Sequence, residues 1–336
     1  MKAVSFGRTE SEQGLSIRYS LCSVVAACAL FLLLLGFGTR TLPVAAADAG
    51  QKVTITPFLQ TVTLPAEEAT KSFAVTLTNN AASAQDFTLT TVDFGSLDET
   101  GGLVYAGADA SKLVKKYGLA SWVRLSAERL RIEPGKSQEI TATIINDVDL
   151  TPGGHYGAII AEVGSTKDIQ DNTIEIKQKI SSLIFATKTG GESYKLSLQD
   201  FTHNGTLFKL PSRAVLNFYN SGNVHVIPRG SVQVKNAAGE VLLKGVINES
   251  SSYVLPETSR QITAELRTTD SRIVLPGKYH VEAVFRYDGY EGFSAKEKTF
   301  LYISWAVVAV LALIVCSIVF IYRFKRSKKP LKNSRK

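Results

Sequence analysis

Alternation of polar with apolar or β-branched residues runs through most of the chain between Gln51 and Phe300 and constrains its fold more than any other feature. The alternation is clearest in the stretches 52–57, 72–78, 86–93, 139–145, 231–235 and 279–286. Successive side chains of a strand point to opposite faces of the sheet, so a period of two is typical of half-buried antiparallel strands. Many such short strands, each bounded by Asn, Gly, Pro or Ser, predict an all-β fold built as a β-sandwich.

An internal repeat predicts the number of sandwiches. The sequence PGKSQEITA at 134–142 has the counterpart PETSRQITA at 256–264, and a further Pro-Gly turn follows each copy. Before each copy an apolar strand closes on a polar turn, at Asn79 and at Asn220. Proline presets φ at such turns, and Gly or Asn accepts a positive φ before the chain re-enters the sheet. The repeat therefore predicts two tandem immunoglobulin-like β-sandwiches.

The repeat also predicts where the two domains lie. We place the first sandwich at 48–190, with an insertion at 95–121, and the second sandwich at 191–300. The stretch 174–186 is predicted as a long last strand of the first sandwich, and 164–172 as a mobile loop before it.

The segment 301–322 is apolar and contains no charged residue. As an α-helix it would extend about 33 Å, slightly more than the roughly 30 Å hydrocarbon core of a bilayer. Tyr302 and Trp305 near one end and Tyr322 at the other match the aromatic belts of membrane interfaces. We predict one transmembrane helix at 301–322 and a single-pass protein of the cell membrane.

The basic tail 323–336 predicts the orientation of this helix. It carries eight Lys or Arg residues and no acidic residue, which equals the formal net charge of +8 of the whole chain. The positive-inside rule places this tail in the cytoplasm and the sandwiches outside the cell. Because the rest of the chain is close to neutral, no basic face for nucleic acid is predicted.

The N-terminal residues 1–47 are predicted to be a secretory signal peptide. Three basic residues precede the apolar run 21–38, and the small residues at 45–47 suit a signal peptidase. The alternative is an uncleaved signal anchor, because the apolar run approaches the length of a membrane span. The cysteines Cys22, Cys28 and Cys316 all lie in apolar segments. The exported part therefore has no disulfide, which favours a bacterial envelope protein with well-packed cores.

Catalytic and metal-binding patterns are not found in the sequence. The four histidines are scattered, and no nucleophile elbow, H-E-x-x-H motif or Gly-rich phosphate loop is present. The exported part contains no cysteine to ligate a metal, and the acidic loops at 146–149 and 168–172 lack the order of an EF-hand. We predict a non-enzymatic protein without a cofactor or a metal site.

Five aromatic residues are candidates for binding a ligand, because exposed rings stack on sugars and anchor protein partners. Tyr105, Trp122 and Tyr156 lie in or near the predicted insertion of the first sandwich. Tyr287 and Tyr290 flank a predicted turn of the second. For Trp122 the alternative, which we favour, is the core tryptophan of a sandwich, and for the turn aromatics it is a cross-strand pair that stabilises the hairpin.

The chain resembles a family of surface proteins that interact with WxL-type cell-wall proteins in Gram-positive bacteria. The residues that carry the resemblance are PFLQTVTLPAEEATKSFAVTLTNN at 57–80, SWVRLSAERLRIEPGKSQEITATI at 121–144 and TPGGHYGAIIAEV at 151–163. The resemblance implies two immunoglobulin-like domains, a C-terminal transmembrane helix and a basic tail. It also implies that the first domain associates with peptidoglycan and the second with a host or partner protein.

Three functional hypotheses follow from these features. The leading one is a membrane-anchored surface protein that binds a cell-wall polymer or another surface protein. The second is a membrane-tethered assembly chaperone or scaffold, in which the long strand 174–186 offers an edge to a client protein. This hypothesis requires that the strand is not fully paired within its own sheet. The third is a sensor or secretion-linked scaffold that acts through a membrane partner.

Overall fold

The computed structural model describes residues 53–106, 115–169, 172–269 and 274–327. The predicted signal peptide at 1–47 lies outside these residues, as does most of the predicted tail. Both sandwiches and the C-terminal helix fall within one unit of the chain that begins at Gln51.

Among the described residues, ten strands form the first sandwich. They are β1 (Val53–Thr56), β2 (Leu59–Leu64), β3 (Thr70–Asn79), β4 (Gln85–Ser96), β5 (Leu103–Tyr105), β6 (Val123–Leu125), β7 (Arg129–Ile132), β8 (Ser137–Ile145), β9 (Gly153–Ile169) and β10 (Asn172–Lys188). One sheet has the order β1-β3-β8-β6, and the other has the order β2-β10-β9-β4-β5, with β7 also pairing with β4. The alternating apolar side chains of the two sheets meet in a core that contains Leu77, Phe87, Ile140 and Ile184.

The second sandwich is formed by eight strands. They are β11 (Leu196–His203), β12 (Arg213–Asn220), β13 (Arg229–Lys235), β14 (Val241–Ile247), β15 (Ser259–Glu265), β16 (Arg267–Thr268), β17 (Gly277–Arg286) and β18 (Ser294–Tyr302). Its sheets have the orders β11-β12-β15 and β16-β14-β13-β17-β18. Phe218 and Phe285, one from each sheet, pack edge to face at the centre of this second core, with ring centroids 5.0 Å apart.

The two sandwiches repeat one plan, which confirms the predicted all-β fold of tandem immunoglobulin-like sandwiches. The two copies of the sequence repeat form equivalent strands: β8 pairs with β3, and β15 pairs with β12. The first sandwich is formed within 53–188 and the second within 196–302.

The equivalence extends to a buried asparagine at the end of β3. The side chain of Asn79 is fully buried. Its Nδ2 donates to the carbonyl oxygens of Ser83 and Ile132, each at 2.9 Å, and its Oδ1 accepts from the N–H of Ala81 at 2.9 Å. The amide thus closes the turn after β3 and ties it to the opposite sheet.

Asn220 makes the same contacts at the end of β12. It is also fully buried, and its Nδ2 donates to the carbonyl oxygens of Val224 at 2.8 Å and Val254 at 2.9 Å. Its Oδ1 accepts from the N–H of Gly222 at 2.9 Å. The sequence predicts polar turns at these two positions. It does not show that the two amides are buried.

The hairpin of β9 and β10 differs from the expectation of a mobile loop at 164–172. The two strands pair along their whole length, from the pair Asn172–Ile169 to the pair Lys188–Gly153. Because β9 pairs with β4 over 157–163, the distal part of the hairpin, at 164–169 and 172–177, continues beyond the sheet as a two-stranded ribbon.

The C-terminal helix, α1 (Trp305–Ser327), begins later than the predicted span 301–322. Strand β18 continues to Tyr302, which pairs with Gly277, and Ser304 then caps the helix by accepting from the N–H of Val307. Among the described residues α1 is the one helix long and apolar enough to cross a membrane, and its apolar side chains are exposed.

Candidate functional site

An aromatic cluster joins the two sandwiches. Phe94, Tyr156 and Phe185 lie on the outer face of the larger sheet of the first sandwich, turned away from its core. The ring of Phe185 contacts Tyr253 of the second sandwich, with centroids 4.6 Å apart, and His225 at 5.1 Å. Burial of these rings provides the main apolar contact between the two sandwiches. We name the whole interface between the sandwiches the junction.

Tyr156 and His225 form the polar centre of the junction. The Tyr156 oxygen accepts from the backbone N–H of His225 at 2.9 Å and lies 3.3 Å from its Nδ1. Burial raises the pKa of the Tyr156 hydroxyl well above its usual range. Burial also lowers the pKa of His225 to about 4, although the charge of Asp288 opposes this. The imidazole is therefore neutral at pH 7.

Asn223 fixes the backbone on one side of the junction. Its Oδ1 accepts from the N–H of Ser193 at 2.6 Å, and its Nδ2 donates to the carbonyl oxygen of Gly191 at 2.9 Å. Its own carbonyl oxygen accepts from the N–H of Gly154 at 2.7 Å. Asn223 thus holds the linker and the start of β9 together.

The insertion of the first sandwich reaches the second one at two places. At the tip of the β4–β5 hairpin, the carbonyl oxygen of Glu99 accepts from the N–H of Gln261 on β15 at 2.6 Å. Further along, Lys116 forms an ion pair with Glu257, and the Tyr117 hydroxyl donates to the same carboxylate at 3.2 Å. The insertion therefore belongs to the junction.

A cavity of about 410 Å³ opens beside the junction, and we name it the junction pocket. Leu59, Leu183 and Phe185 line it from the first sandwich, and Tyr253 and Leu255 line it from the second. This volume is within the range of small-molecule and side-chain binding sites.

Arg260 supplies a cation at the wall of the junction pocket. Its Nη1 donates to the carbonyl oxygen of Tyr253 at 2.9 Å, and partial burial lowers the pKa of its guanidinium. Gly101 packs directly against this guanidinium, with φ at +88°. A Cβ at Gly101 would displace the guanidinium of the flexible Arg260 side chain, and the positive φ itself favours glycine at this position.

Within the described part of the chain, strand β10 has an unpaired edge next to the junction pocket. On one side β10 pairs with β9 throughout, but on the other side it pairs with β2 only over Leu183–Lys188. Among the described residues, 172–182 have no strand on that second side. We name this side of 172–182 the β10 edge. The N–H of Leu183 donates to the carbonyl oxygen of Phe58 at 2.8 Å and so points away from β9.

The direction of the Leu183 N–H shows which way the main-chain groups of the other β10 residues point. In a strand, residues of the same parity direct their N–H and C=O groups to the same neighbour. The main-chain groups of Lys179 and Ser181 therefore point outward at the β10 edge. The Lys179 side chain forms an ion pair with Glu162 at 3.0 Å, and the Ser181 hydroxyl contacts the hydroxyl of Tyr105 at 3.2 Å.

The predicted ligand-binding aromatics of the first sandwich occupy three different places. Tyr156 is only 2% exposed at the junction, so its ring is not accessible for stacking on a sugar. Tyr105 is half-buried at the margin of the same aromatic cluster. Trp122 packs against the first core, and its ring centroid lies 6.4 Å from that of His155. These positions suit structural roles for all three residues.

The two predicted aromatics of the second sandwich lie together at the tip of the β17–β18 hairpin. Tyr287 and Tyr290 stack with ring centroids 5.2 Å apart and planes 11° from parallel. One face of each ring is therefore covered by the other ring. Tyr290 is 44% exposed and the neighbouring Phe293 is 67% exposed. A ligand-binding role for this pair stays a prediction.

Sequence reasoning missed the residues that form the site. Nothing in the local sequence around Phe58, Leu183 or Arg260 indicates that they line one pocket, because the contacts join segments far apart in the chain. The available signal was the strand 174–186, predicted as long and as a possible free edge. Among the described residues, no group of three or more His, Cys, Asp or Glu side chains is placed to hold a metal ion.

No family model and no curated protein matches this sequence. Among solved structures, the class 5 fimbriae chaperone CfaA is similar with a TM-score of 0.37 and 11% identity, covering 73% of this chain and 98% of that chain. The E. coli chaperone DraB is similar with a TM-score of 0.34 and 12% identity, covering 74% and 96%. A chaperone–tip adhesin complex of CFA/I fimbriae has a TM-score of 0.39 and 13% identity, covering 76% and 100%.

At these identities and TM-scores the similarities assign neither a family nor a function to this chain. They do not test the resemblance to the WxL-interacting family, which stays a prediction.

Proposed function

We propose that this chain is a membrane-anchored protein-binding scaffold or assembly chaperone that holds an extended segment of another surface protein along the β10 edge. The observation that carries the proposal concerns strand β10, which pairs with β2 over Leu183–Lys188, whereas no strand among the described residues lies on the same side of 172–182. An added strand there would complete main-chain hydrogen bonds and lengthen the sheet.

The junction pocket supports this proposal by offering selectivity. A partner strand that continues the line of β2 along β10 would start next to Phe58, Leu59 and Leu183, which line the pocket. Phe58 is 73% exposed at this point. Main-chain pairing is independent of sequence, so a pocket for one apolar side chain is what makes strand addition selective.

A protein partner fits these features better than a cell-wall polymer. Strand addition requires a second polypeptide, whereas sugar binding requires accessible aromatic faces. Of the predicted aromatics, Tyr156 is buried, and Tyr287 and Tyr290 cover one face of each other. Binding of a wall polymer therefore rests on the family resemblance, and we retain the surface-protein part of the leading hypothesis.

The membrane anchor is part of the proposal. The first 19 residues of α1, Trp305–Arg323, have the length and composition of a single membrane span, and further basic residues follow them. We propose that α1 spans the cell membrane with the sandwiches outside and the C-terminal tail in the cytoplasm. Extraction of membranes with alkaline carbonate tests this: the full-length protein is expected to stay in the pellet and to need detergent for release.

Replacing Lys179 with proline tests strand addition. Lys179→Pro removes an outward N–H and keeps the hydrogen bonds to β9, since proline is tolerated where the missing donor faces solvent. Peptides that bind the detergent-solubilised full-length protein are selected from a display library. Their dissociation constants are then measured with the wild type and with the variant. We expect the variant to bind them at least ten-fold more weakly, and the amides of 179 and 181 to exchange more slowly in the wild-type complex.

Lys179→Ala is the matched control. It removes the same side chain and its ion pair with Glu162 but keeps the backbone N–H, so peptide affinity should stay near that of the wild type. Equal binding of the peptides to the wild-type and Lys179→Pro proteins would reject strand addition at this edge.

A further inference from the structure

A group of exposed apolar residues surrounds the start of α1. Leu207, Phe208, Leu275 and Leu301 belong to three separate segments of the second sandwich, and we name this group the basal rim. Leu275 is 67% exposed, Leu301 is 54% exposed, and Leu207 and Phe208 are each 39% exposed. Trp305, the first residue of α1, is 64% exposed. Single exposed apolar side chains are common, but a group that converges on one helix end requires an explanation.

Backbone contacts place all three segments at the level of the helix start. The N–H of Ile303 donates to the carbonyl oxygen of Leu207 at 2.6 Å. Ile303 is two residues before Trp305, a distance of at most about 7 Å along the chain. The loop that carries Leu207 and Phe208 is therefore fixed beside the first turn of α1 and is not free to move along it.

The other two members of the basal rim are fixed through β17 and β18. Gly277 pairs with Tyr302, and Lys278 pairs with Leu301. Leu275 is two residues before Gly277, and its carbonyl oxygen accepts from the Tyr279 hydroxyl at 2.5 Å. Leu275 and Leu301 therefore lie at the same end of the second sandwich as α1.

A ring stack connects the basal rim to the helix directly. Phe208 and Trp305 have ring centroids 4.6 Å apart and planes 24° from parallel. Tryptophan at the end of a membrane-spanning helix lies in the interfacial layer of the bilayer. Because Phe208 stacks on this tryptophan, the two rings are held at one depth.

We propose that the basal rim inserts into the interfacial layer of the bilayer that α1 spans, so that the second sandwich rests on lipid. The proposal rests on the membrane anchoring proposed above and adds a second lipid contact to it. The occupant of this apolar surface is the outer lipid layer because the surface is continuous with α1. Exposed Lys209 and Lys278 adjoin the rim, where their charges can reach lipid phosphates.

Spin labels on the full-length protein in lipid nanodiscs test this proposal. In a background with Cys22, Cys28 and Cys316 replaced by serine, single cysteines are introduced as Phe208→Cys and, independently, Leu275→Cys. Phe293→Cys is the matched control, since Phe293 is 67% exposed at the opposite end of β17 and β18. The collision rates of each label with oxygen, which concentrates in lipid, and with a water-soluble nickel chelate are measured.

We expect the ratio of the oxygen to the nickel collision rates to be several-fold higher at 208 and 275 than at 293. A label within α1, Leu313→Cys, separates the two proposals. In one outcome, the label at 313 shows a high ratio while the labels at 208 and 275 show the same low ratio as the label at 293. That result would mean that the basal rim does not contact the bilayer, although α1 still spans it. If 208 and 275 are shielded from both reagents, a protein covers the rim and the lipid proposal is wrong. If Leu313 is also accessible to nickel, the anchor itself is rejected.

Discussion

At the scale of single residues, Asn79 and Asn220 show how the two sandwiches solve the same local problem. Each strand must turn sharply while its end is inside the domain, where backbone groups cannot reach water. One amide side chain supplies two donors and one acceptor, and so it satisfies three backbone groups at once. Removing the amide would leave these groups unpaired and buried.

We therefore expect Asn79→Ala and Asn220→Ala each to lower the free energy of unfolding by about 2–3 kcal/mol. Denaturant titration of the full-length protein in detergent, followed by tryptophan fluorescence and circular dichroism, measures this loss. The control is Asn236→Ala, whose Oδ1 accepts from the N–H groups of Ala238 and Glu240 in an exposed turn. Because water can replace that acceptor, its cost should stay below about 1 kcal/mol, and equal losses would contradict the burial argument.

At the scale of elements, the β4–β5 hairpin combines two functions at one tip. The Glu99–Gln261 hydrogen bond covers part of the β15 edge. Gly101 of the same hairpin packs against the Arg260 guanidinium. Covering an edge in this way prevents unwanted strand pairing. The β10 edge differs, because no strand of the described part of the chain covers it.

Substitution of Gly101 tests the importance of this tip. Gly101→Ala would place a methyl group in a left-handed conformation and against the Arg260 guanidinium, so we expect a loss of about 2–4 kcal/mol in unfolding free energy. Gly135→Ala is the control, since Gly135 also has a positive φ, +69°, but has open space around it. Strain alone should cost that variant about 1–2 kcal/mol. Identical losses would show that contact with Arg260 is unimportant.

The elements themselves were largely predictable from the sequence, because their pattern is local. Alternation predicts β3, β8 and β17, and the repeat predicts that β8 and β15 are equivalent. The predicted span begins four residues before α1, because Leu301 and Tyr302 would suit the end of a strand as well as the start of an apolar helix. Only their pairing with β17 shows that they continue a strand.

At the scale of the whole molecule, the junction holds the two sandwiches in one arrangement. Its aromatic cluster and the junction pocket both combine residues from β2, β10 and the second sandwich. Such contacts depend on how two domains dock, and no periodic pattern in the sequence encodes that. This explains why the strand that forms the site was predictable, whereas Arg260 and the pocket were not.

The neutral His225 makes the junction sensitive to acid. Its folded pKa of about 4 is below the ordinary value of 6.5, so at acidic pH the unfolded chain binds a proton that the folded protein does not. Stability should therefore fall as the pH decreases from about 6.5 to about 4, by about 3 kcal/mol in total, and be fully present above pH 6.5. The groups facing this imidazole are Tyr156, Phe185, Tyr253 and the charge of Asp288.

Unfolding free energies measured from pH 7.5 to pH 4 for the wild type and His225→Gln test this prediction. Carboxylates titrate in both proteins, so the difference between the two curves isolates the histidine. The free energy of unfolding of the wild type should approach that of His225→Gln as the pH falls. The reason is that only the wild type must keep a buried imidazole neutral in its folded state. Parallel curves would show that the pKa of His225 is the same in the folded and unfolded protein and would contradict this prediction.

The short connection between the second sandwich and α1 has a mechanical consequence. Only Ile303 and Ser304 separate β18 from the helix, and nine residue pairs join β18 to β17. When α1 is held in place and a force pulls on the first sandwich, the tension passes into β18 along its own axis. All nine pairs then bear the load together, in shear, and do not open one after another. The two sandwiches are thus attached to α1 in the geometry in which a β-sheet best resists being pulled apart.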